Sequence, residues 1–304
     1  MDIGVIGVGM MGKNHVRVYS ELKKVDSVGI YDINGAAAHE IGGMHGATVH
    51  DSVQDLLEHS DAVSVCVSTP YHAEVVRDIF VAEKSVLIEK PICSSVGEAT
   101  RLMEKAPAGI TIGVGHIERF NPIVDEIKKI VRKPLYVEMK RHNPASARVT
   151  GSTVVEDLMI HDIDILLSLF FPHPCDIRSV GTADVCSVLM KCGNVPVSLS
   201  ASRKSSKKIR MIYVEEEDFT IEGDFMSQEV TIYRKPGQYR IEAERYVQEN
   251  IIEKVMVNKL EPLKRELEMF VNCVESHQPF PITPEQAIHN LRICEEIQTG
   301  LNVI

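Results

Sequence analysis

Residues 2–32 read DIGVIGVGMMGKNHVRVYSELKKVDSVGIYD. The apolar run Asp2–Ile6 passes directly into G-V-G-M-M-G, Gly7 to Gly12. Lys13–Leu22 then carries apolar side chains at helical spacing, and a second apolar run, 27–32, ends in Asp32. Strand, glycine-rich turn, helix and strand make one βαβ unit, the context that gives G-x-G-x-x-G its meaning. Gly7 permits the tight turn, Gly9 lets backbone approach a pyrophosphate, and Gly12 lets helix and strand pack closely. The free N–H groups along Gly7, Val8, Gly9, Met10, Met11 and Gly12, with the positive end of the helix, form a seat for that anion. Asp32 stands 20 residues beyond Gly12. A carboxylate there accepts hydrogen bonds from ribose hydroxyls and repels a 2′-phosphate. Ile33 and Asn34 follow, with no arginine to hold that phosphate. The stretch reads as a seat for NAD in preference to NADP.

Outward from this unit the alternation continues to residue 115. Apolar runs at 47–50, 62–67, 85–89 and 111–115 are separated by helical stretches at Ala36–Gly42, Val53–Glu58, Ala73–Ala82 and Val96–Lys105. Continuous apolar strands alternating with helices predict a parallel sheet covered on both faces. Ligands of such sheets bind outside the carboxyl ends of the strands. That rule selects Ser68 and Thr69 after the fourth strand, and Glu89-Lys90-Pro91 after the fifth.

After Asn121 the texture changes. A helix at Pro122–Val131, a strand at 135–142 and a helix at Val155–Phe171 precede β runs at Ile177–Met190, Val195–Ser202, Ile209–Glu215, Phe219–Glu222 and Glu229–Tyr233. Several of these alternate apolar and polar residues, as antiparallel strands with one open face do. KCGN (191–194) and RKSSKK (203–208) read as hairpin turns between them. Helices return at Leu263–Ser276 and Pro284–Leu301. The fold class is α/β: an N-terminal doubly wound Rossmann domain, 1–118, then an α+β substrate-binding domain, 119–304, with an open, mostly antiparallel sheet.

Within D-L-M-I-H-D-I-D, 157–164, Asp157 and His161 are four apart and share a helix face. A carboxylate so placed holds an imidazole in one tautomer and stabilises its cation, and the ring then serves as a general base near neutral pH. The whole chain of 304 residues is 44% apolar and 25% charged, with a net charge of -10. That balance speaks against nucleic acid as a partner. No apolar stretch approaches the roughly 20 residues that span a bilayer. The apolar strand starting at Asp2 leaves no room for a targeting leader. Seven scattered cysteines with no C-x-x-C predict reduced thiols, no disulfide framework, no zinc ribbon and a cytoplasmic setting.

The glycine motif, E-K-P and D-x-x-x-H, in this order along nearly the whole chain, resemble the Gfo/Idh/MocA oxidoreductases. The resemblance implies a catalytic Lys90 in a cis-proline turn, a catalytic His161 and its partner Asp157. It also implies NAD(P), a sheet that serves oligomerisation as a homodimer or homotetramer, and no metal. G-H-I-E-R-F-N-P (115–122), R-x-x-P-x-x-x-R (Arg141–Arg148) and A-S-R-x-S-x-K-K-x-R (201–210) are similar to the UDP-N-acetylglucosamine 3-dehydrogenase branch of that family. The resemblance also implies a cofactor contact from His72, although T-P-Y-H (69–72) is shorter than the family's usual T-P-x-x-x-H, and Met159 replaces a small residue. A nucleotide-sugar diphosphate calls for guanidinium donors. Arg119, Arg141 and Arg148, with Asn121, are the candidate substrate contacts. The expected activity is oxidation of a secondary sugar hydroxyl to a ketone. Dehydrogenation of a free sugar or cyclitol, or sensing of sugar without catalysis, stand as the alternatives.

Overall fold

A computed structural model of the chain describes residues 1–148, 151–171, 175–235, 240–242, 245–247 and 250–301; the side chains of 147–148, 240–242 and 245–247 lie outside that description. The chain forms two compact units, Met1–Phe120 with Glu261–Arg292, and Asn121–Leu260 with Ile293–Ile304. The segment 261–292, placed in the second domain by sequence reading, therefore belongs to the first unit.

The first unit alternates β1 (Asp2–Ile6), α1 (Gly12–Glu21), β2 (Ser27–Tyr31), α2 (Gly35–His45), β3 (Thr48–Val49), α3 (Val53–Glu58), β4 (Ala62–Val65), α4 (His72–Val81), β5 (Ser85–Glu89), α5 (Val96–Met103) and β6 (Ile112–Gly115). All the strand pairs are parallel, in the order β3-β2-β1-β4-β5-β6. The apolar runs become central strands because both faces are covered: Ile3, Val5, Val63, Val65, Val86, Leu87 and Ile88 are fully buried. Ser52 and Ser95 cap α3 and α5, their hydroxyls accepting the N–H of Asp55 and Glu98. The strand order reverses between β1 and β4, which puts the loops after these two strands side by side; the Cys66 N–H donates to Ile6 O at 2.8 Å. That reversal is where doubly wound folds open to a ligand. Helix α8 (Pro262–Ser276) completes this unit with Leu263, Leu267, Phe270 and Val271 buried.

The second unit contains α6 (Pro122–Ile130), β7 (Tyr136–His142), a π-turn at Val155–Met159 running into α7 (Ile160–Leu169), and β8 (Asp176–Gly181) through β13 (Glu229–Arg234). Between those last two lie β9 (Val185–Cys192), β10 (Val195–Ser202), β11 (Ile209–Glu215) and β12 (Phe219–Asp224). β14 (Arg240–Glu242) and β15 (Arg245–Val247) form a separate pair; β16 (Ile252–Lys254) joins the main sheet. The sheet runs β16-β13-β12-β11-β7-β10-β9-β8, antiparallel throughout except β7–β10. Helix α9 (Pro284–Leu301) closes the chain.

Three expectations are corrected here. Residues 177–190 are two strands rather than one. Gly181, at φ +143, makes the turn, and a Cβ there would lie 2.1 Å from Val185 O. KCGN is a true hairpin, but RKSSKK is not: β7 lies between β10 and β11, so this segment crosses over a strand. Finally, Cys175 and Cys192 form a disulfide, with Cα atoms 4.4 Å apart. The β8–β9 register pairs Asp176 with Lys191, which carries Cys175 next to Cys192. Cys66, Cys93, Cys186, Cys273 and Cys294 take no part in that bond. Among the described residues no helix is long and apolar enough to cross a membrane.

Candidate active site

In the first unit the glycine turn is built as the motif requires. Gly7 has φ +90, and its N–H donates to Tyr31 O. A Cβ on Gly12 would sit 1.8 Å from Gly7 O, so any side chain there collides with the turn. A Cβ on Gly9 would meet nothing within 4 Å, leaving that face of the turn open to a ligand. Asp32 ties the turn to the second strand: Oδ2 accepts the Val8 N–H at 2.7 Å and Oδ1 the Asn34 N–H at 2.8 Å. Each oxygen retains a second lone pair for a ribose hydroxyl. Ser68 is exposed and Thr69 half-buried on the neighbouring loop.

Lys90 follows directly on β5, half-buried, and the Lys90–Pro91 peptide is cis. Glu89, expected among the cofactor contacts, is paired with His15, which the sequence reading did not single out. His15 of α1 is wholly buried, and its Nε2 lies 2.9 Å from Glu89 Oε1. Glu89 Oε2 accepts the Lys90 N–H at 3.2 Å. Burial alone raises such a carboxyl's pKa; the His15 hydrogen bond, the charges of His15 and Lys90 and the Lys90 amide outweigh it and hold Glu89 below the ordinary glutamate value. The signal was present in α1, where His15 occupies the inward i, i+3, i+4, i+7 face with Val18, Tyr19 and Leu22.

In the second unit Asp157 and His161 are both half-buried. Asp157 lies in the π-turn and His161 in the first turn of α7. A capping box starts this segment: Glu156 Oε2 accepts the Thr153 N–H at 3.0 Å, while the Glu156 N–H reaches Thr153 Oγ1 at 3.4 Å. The sequence reading assigned one plain α-helix here. A π-turn inside a helix is a local irregularity that clusters at functional sites.

Residues 1–116 match the oxidoreductase family Gfo/Idh/MocA, described as having an NAD-binding Rossmann fold. Over 288 residues the chain is 31% identical to the UDP-N-acetylglucosamine 3-dehydrogenase of Acidithiobacillus ferrooxidans, spanning 92% of this chain and 90% of that one. This chain belongs to the Gfo/Idh/MocA family. It is an NAD(P)-dependent oxidoreductase acting on CH–OH groups, and the glycine cradle and Asp32 fit the cofactor the family uses. The solved structure of GnnA, the UDP-N-acetylglucosamine 3-dehydrogenase of A. ferrooxidans, matches with a TM-score of 0.87 at 27% identity, over 99% of this chain and 97% of that one. Inositol 2-dehydrogenase 3 of Saccharopolyspora erythraea is 30% identical, but over 54% of this chain and 52% of that one.

Several of the candidate ligand contacts make hydrogen bonds inside the fold. Arg141 is 1% exposed; its Nε and Nη2 donate to Asp162 Oδ1 at 2.8 and 2.7 Å, and its guanidinium stacks 5.4 Å from the Phe225 ring centre. It takes the inward register of β7 after Val137 and Met139, so the alternation that fixes the strand also sends the arginine into the core. Asn121 is buried too: its Nδ2 donates to Phe225 O, and its Oδ1 caps α6 by accepting the Ile123 N–H. His72 is buried, with Nε2 3.0 Å from Val67 O and Nδ1 3.0 Å from Pro91 O, and burial pushes its pKa down. It fastens the loop after β4 to the turn after Lys90. Arg119 donates to Gln286 Oε1 at 2.7 Å within the first unit. Arg148 ends a 3-10 turn, Pro144–Arg148, and its side chain lies outside the described residues.

His50, Asp55 and His59 gather three side chains of metal-ligand type. They are joined by hydrogen bonds of their own: His50 Nδ1 lies 2.9 Å from Asp55 Oδ2, and His59 Nδ1 2.8 Å from Asp55 O.

Removing Arg141 takes both of its hydrogen bonds from the buried Asp162 Oδ1 and breaks a buried ion pair, a change that costs about 3–5 kcal/mol. Arg141→Ala should therefore lower the urea midpoint sharply, read by circular dichroism. A substrate-binding arginine would leave that midpoint unchanged.

Proposed function

We propose that this protein is an NAD-dependent sugar dehydrogenase whose substrate is UDP-N-acetylglucosamine, oxidised at its 3-hydroxyl. The carrying observation is the 31% identity to a UDP-N-acetylglucosamine 3-dehydrogenase along nearly the full length of both chains. The inositol dehydrogenases match over shorter stretches, from 54% to 70% of this chain, which fits a shared scaffold with a different substrate.

His161 takes the proton of the sugar hydroxyl. Asp157, one turn before it, orients the imidazole and stabilises the cation that forms. Lys90 offers its ammonium to the oxygen as negative charge develops there. NAD, when bound, supplies the hydride acceptor. Gly7, Gly9 and Gly12 keep the backbone clear for its pyrophosphate, and Asp32 takes the adenosine ribose.

A thermal-shift panel tests the substrate, because a ligand of the native state raises apparent stability in proportion to its occupancy. With NAD present, UDP-N-acetylglucosamine should raise the melting temperature more than N-acetylglucosamine or myo-inositol. A larger shift with myo-inositol would favour the cyclitol reading. Asp32 carries the cofactor preference. Asp32→Ala should weaken NAD by about 10-fold, the loss of one or two charge-assisted hydrogen bonds, and narrow its lead over NADP. Calorimetry reads both constants. Tighter binding of NADP by the wild type would overturn the preference.

A further inference from the structure

We propose that His15, acting through Glu89, is a positioning residue for Lys90. The proposal rests on the reading of Lys90 as a catalytic group. Both partners are buried, His15 at 0% and Glu89 at 6% exposure. Taking a carboxylate and an imidazole out of water is costly, and an apolar pair of the same volume often serves stability as well or better. A pair kept at that cost calls for a reason beyond stability, and the contacts supply one. Nε2 of His15 holds one carboxylate oxygen at 2.9 Å, and the other oxygen takes the backbone N–H of Lys90 at 3.2 Å. The carboxylate thus bridges α1, the helix that starts at the glycine turn, and the residue that carries the reacting ammonium.

The surroundings are cut to fit this bridge. Gly115 stands opposite Glu89 in the β5–β6 register, and a Cβ there would come within 3.2 Å of the Glu89 carboxyl. Among the described residues, His15 Nδ1 has no hydrogen-bond partner, so the imidazole's polar contact is directed wholly at Glu89. His15 fixes the carboxylate, the carboxylate fixes the Lys90 amide, and the first atoms of the lysine side chain inherit that position. A misplacement of about 1 Å at a reacting group costs on the order of 10²-fold in rate.

The test compares three variants of the full chain: His15→Gln, His15→Leu, and the double variant His15→Leu with Glu89→Met. A glutamine amide reaches the same carboxylate oxygen as Nε2; leucine offers no donor; the double variant replaces the pair by apolar volume. For each, kcat and KM for the sugar, the NAD dissociation constant and the melting temperature are measured. The expected result is that His15→Gln keeps kcat within about 3-fold, while His15→Leu and the double variant lose about 10–100-fold in kcat. KM and NAD affinity should stay near wild type, and the double variant should melt near the wild-type temperature. A double variant that folds and turns over at the wild-type rate overturns the proposal. If the double variant fails to fold, equal kcat values for His15→Gln and His15→Leu overturn it instead. Lys90→Ala separates the two levels of the argument. Wild-type turnover in Lys90→Ala defeats the catalytic reading of Lys90. A slow Lys90→Ala beside fast pair variants defeats only the role given to His15.

Discussion

His161→Ala should lower kcat by about 10²–10⁴, the range for a positioned proton-transfer group, while NAD binds as in the wild type. The separation follows from where the residues lie. The glycine turn and Asp32 belong to the first unit, and His161 to α7 of the second. Asp157→Asn should also slow the reaction without unfolding the chain, because an amide permits the wrong imidazole tautomer. Rapid-mixing measurement of one turnover, with NAD affinity determined separately by calorimetry, checks both. A wild-type rate in His161→Ala would remove the proton-transfer step assigned to it. Loss of NAD binding in the same variant would show that the substitution had disturbed more than the reacting group.

Gly12→Ala should abolish NAD binding and destabilise the first unit. The added Cβ would occupy a point 1.8 Å from Gly7 O, far inside contact distance, so either the start of α1 or the turn itself must move. Forcing a methyl into packed surroundings costs about 1–3 kcal/mol, and here the displaced atoms are the seat of the pyrophosphate. Gly9→Ala is the matched control, since its Cβ would meet no protein atom within 4 Å. That variant should fold as the wild type does and lose NAD only through direct obstruction of the ligand. Urea unfolding and calorimetry on the two variants distinguish the cases. Equal stability and equal NAD affinity in Gly12→Ala would contradict the packing argument.

The doubly wound half was legible because its signals are local. A glycine motif between an apolar run and a helix, and an acid 20 residues on, need no knowledge of distant contacts. The second unit was legible in class but less so in connection. A turn-like sequence such as RKSSKK looks the same whether it joins neighbouring strands or crosses over β7, since only the long-range pairing decides. The Cys175–Cys192 bond was hidden for the same reason, being a product of β8–β9 register. Among the site residues, Lys90 and Asp32 could be placed from strand ends. Arg141 and Asn121 were singled out for their polar residue types, which do not reveal the internal hydrogen bonds that the inward face of β7 and the cap of α6 give them. His15 carried an equally plain positional signal that went the other way, a polar side chain on a buried helix face.

The most direct measurement is the formation of NADH in a single turnover, with UDP-N-acetylglucosamine, N-acetylglucosamine and myo-inositol offered separately to the NAD-loaded protein. The account predicts NADH from UDP-N-acetylglucosamine at a kcat/KM at least about 100-fold above either of the others, about 2.7 kcal/mol of discrimination at the transition state. NADH from myo-inositol at equal or greater efficiency, or none from UDP-N-acetylglucosamine, would contradict it.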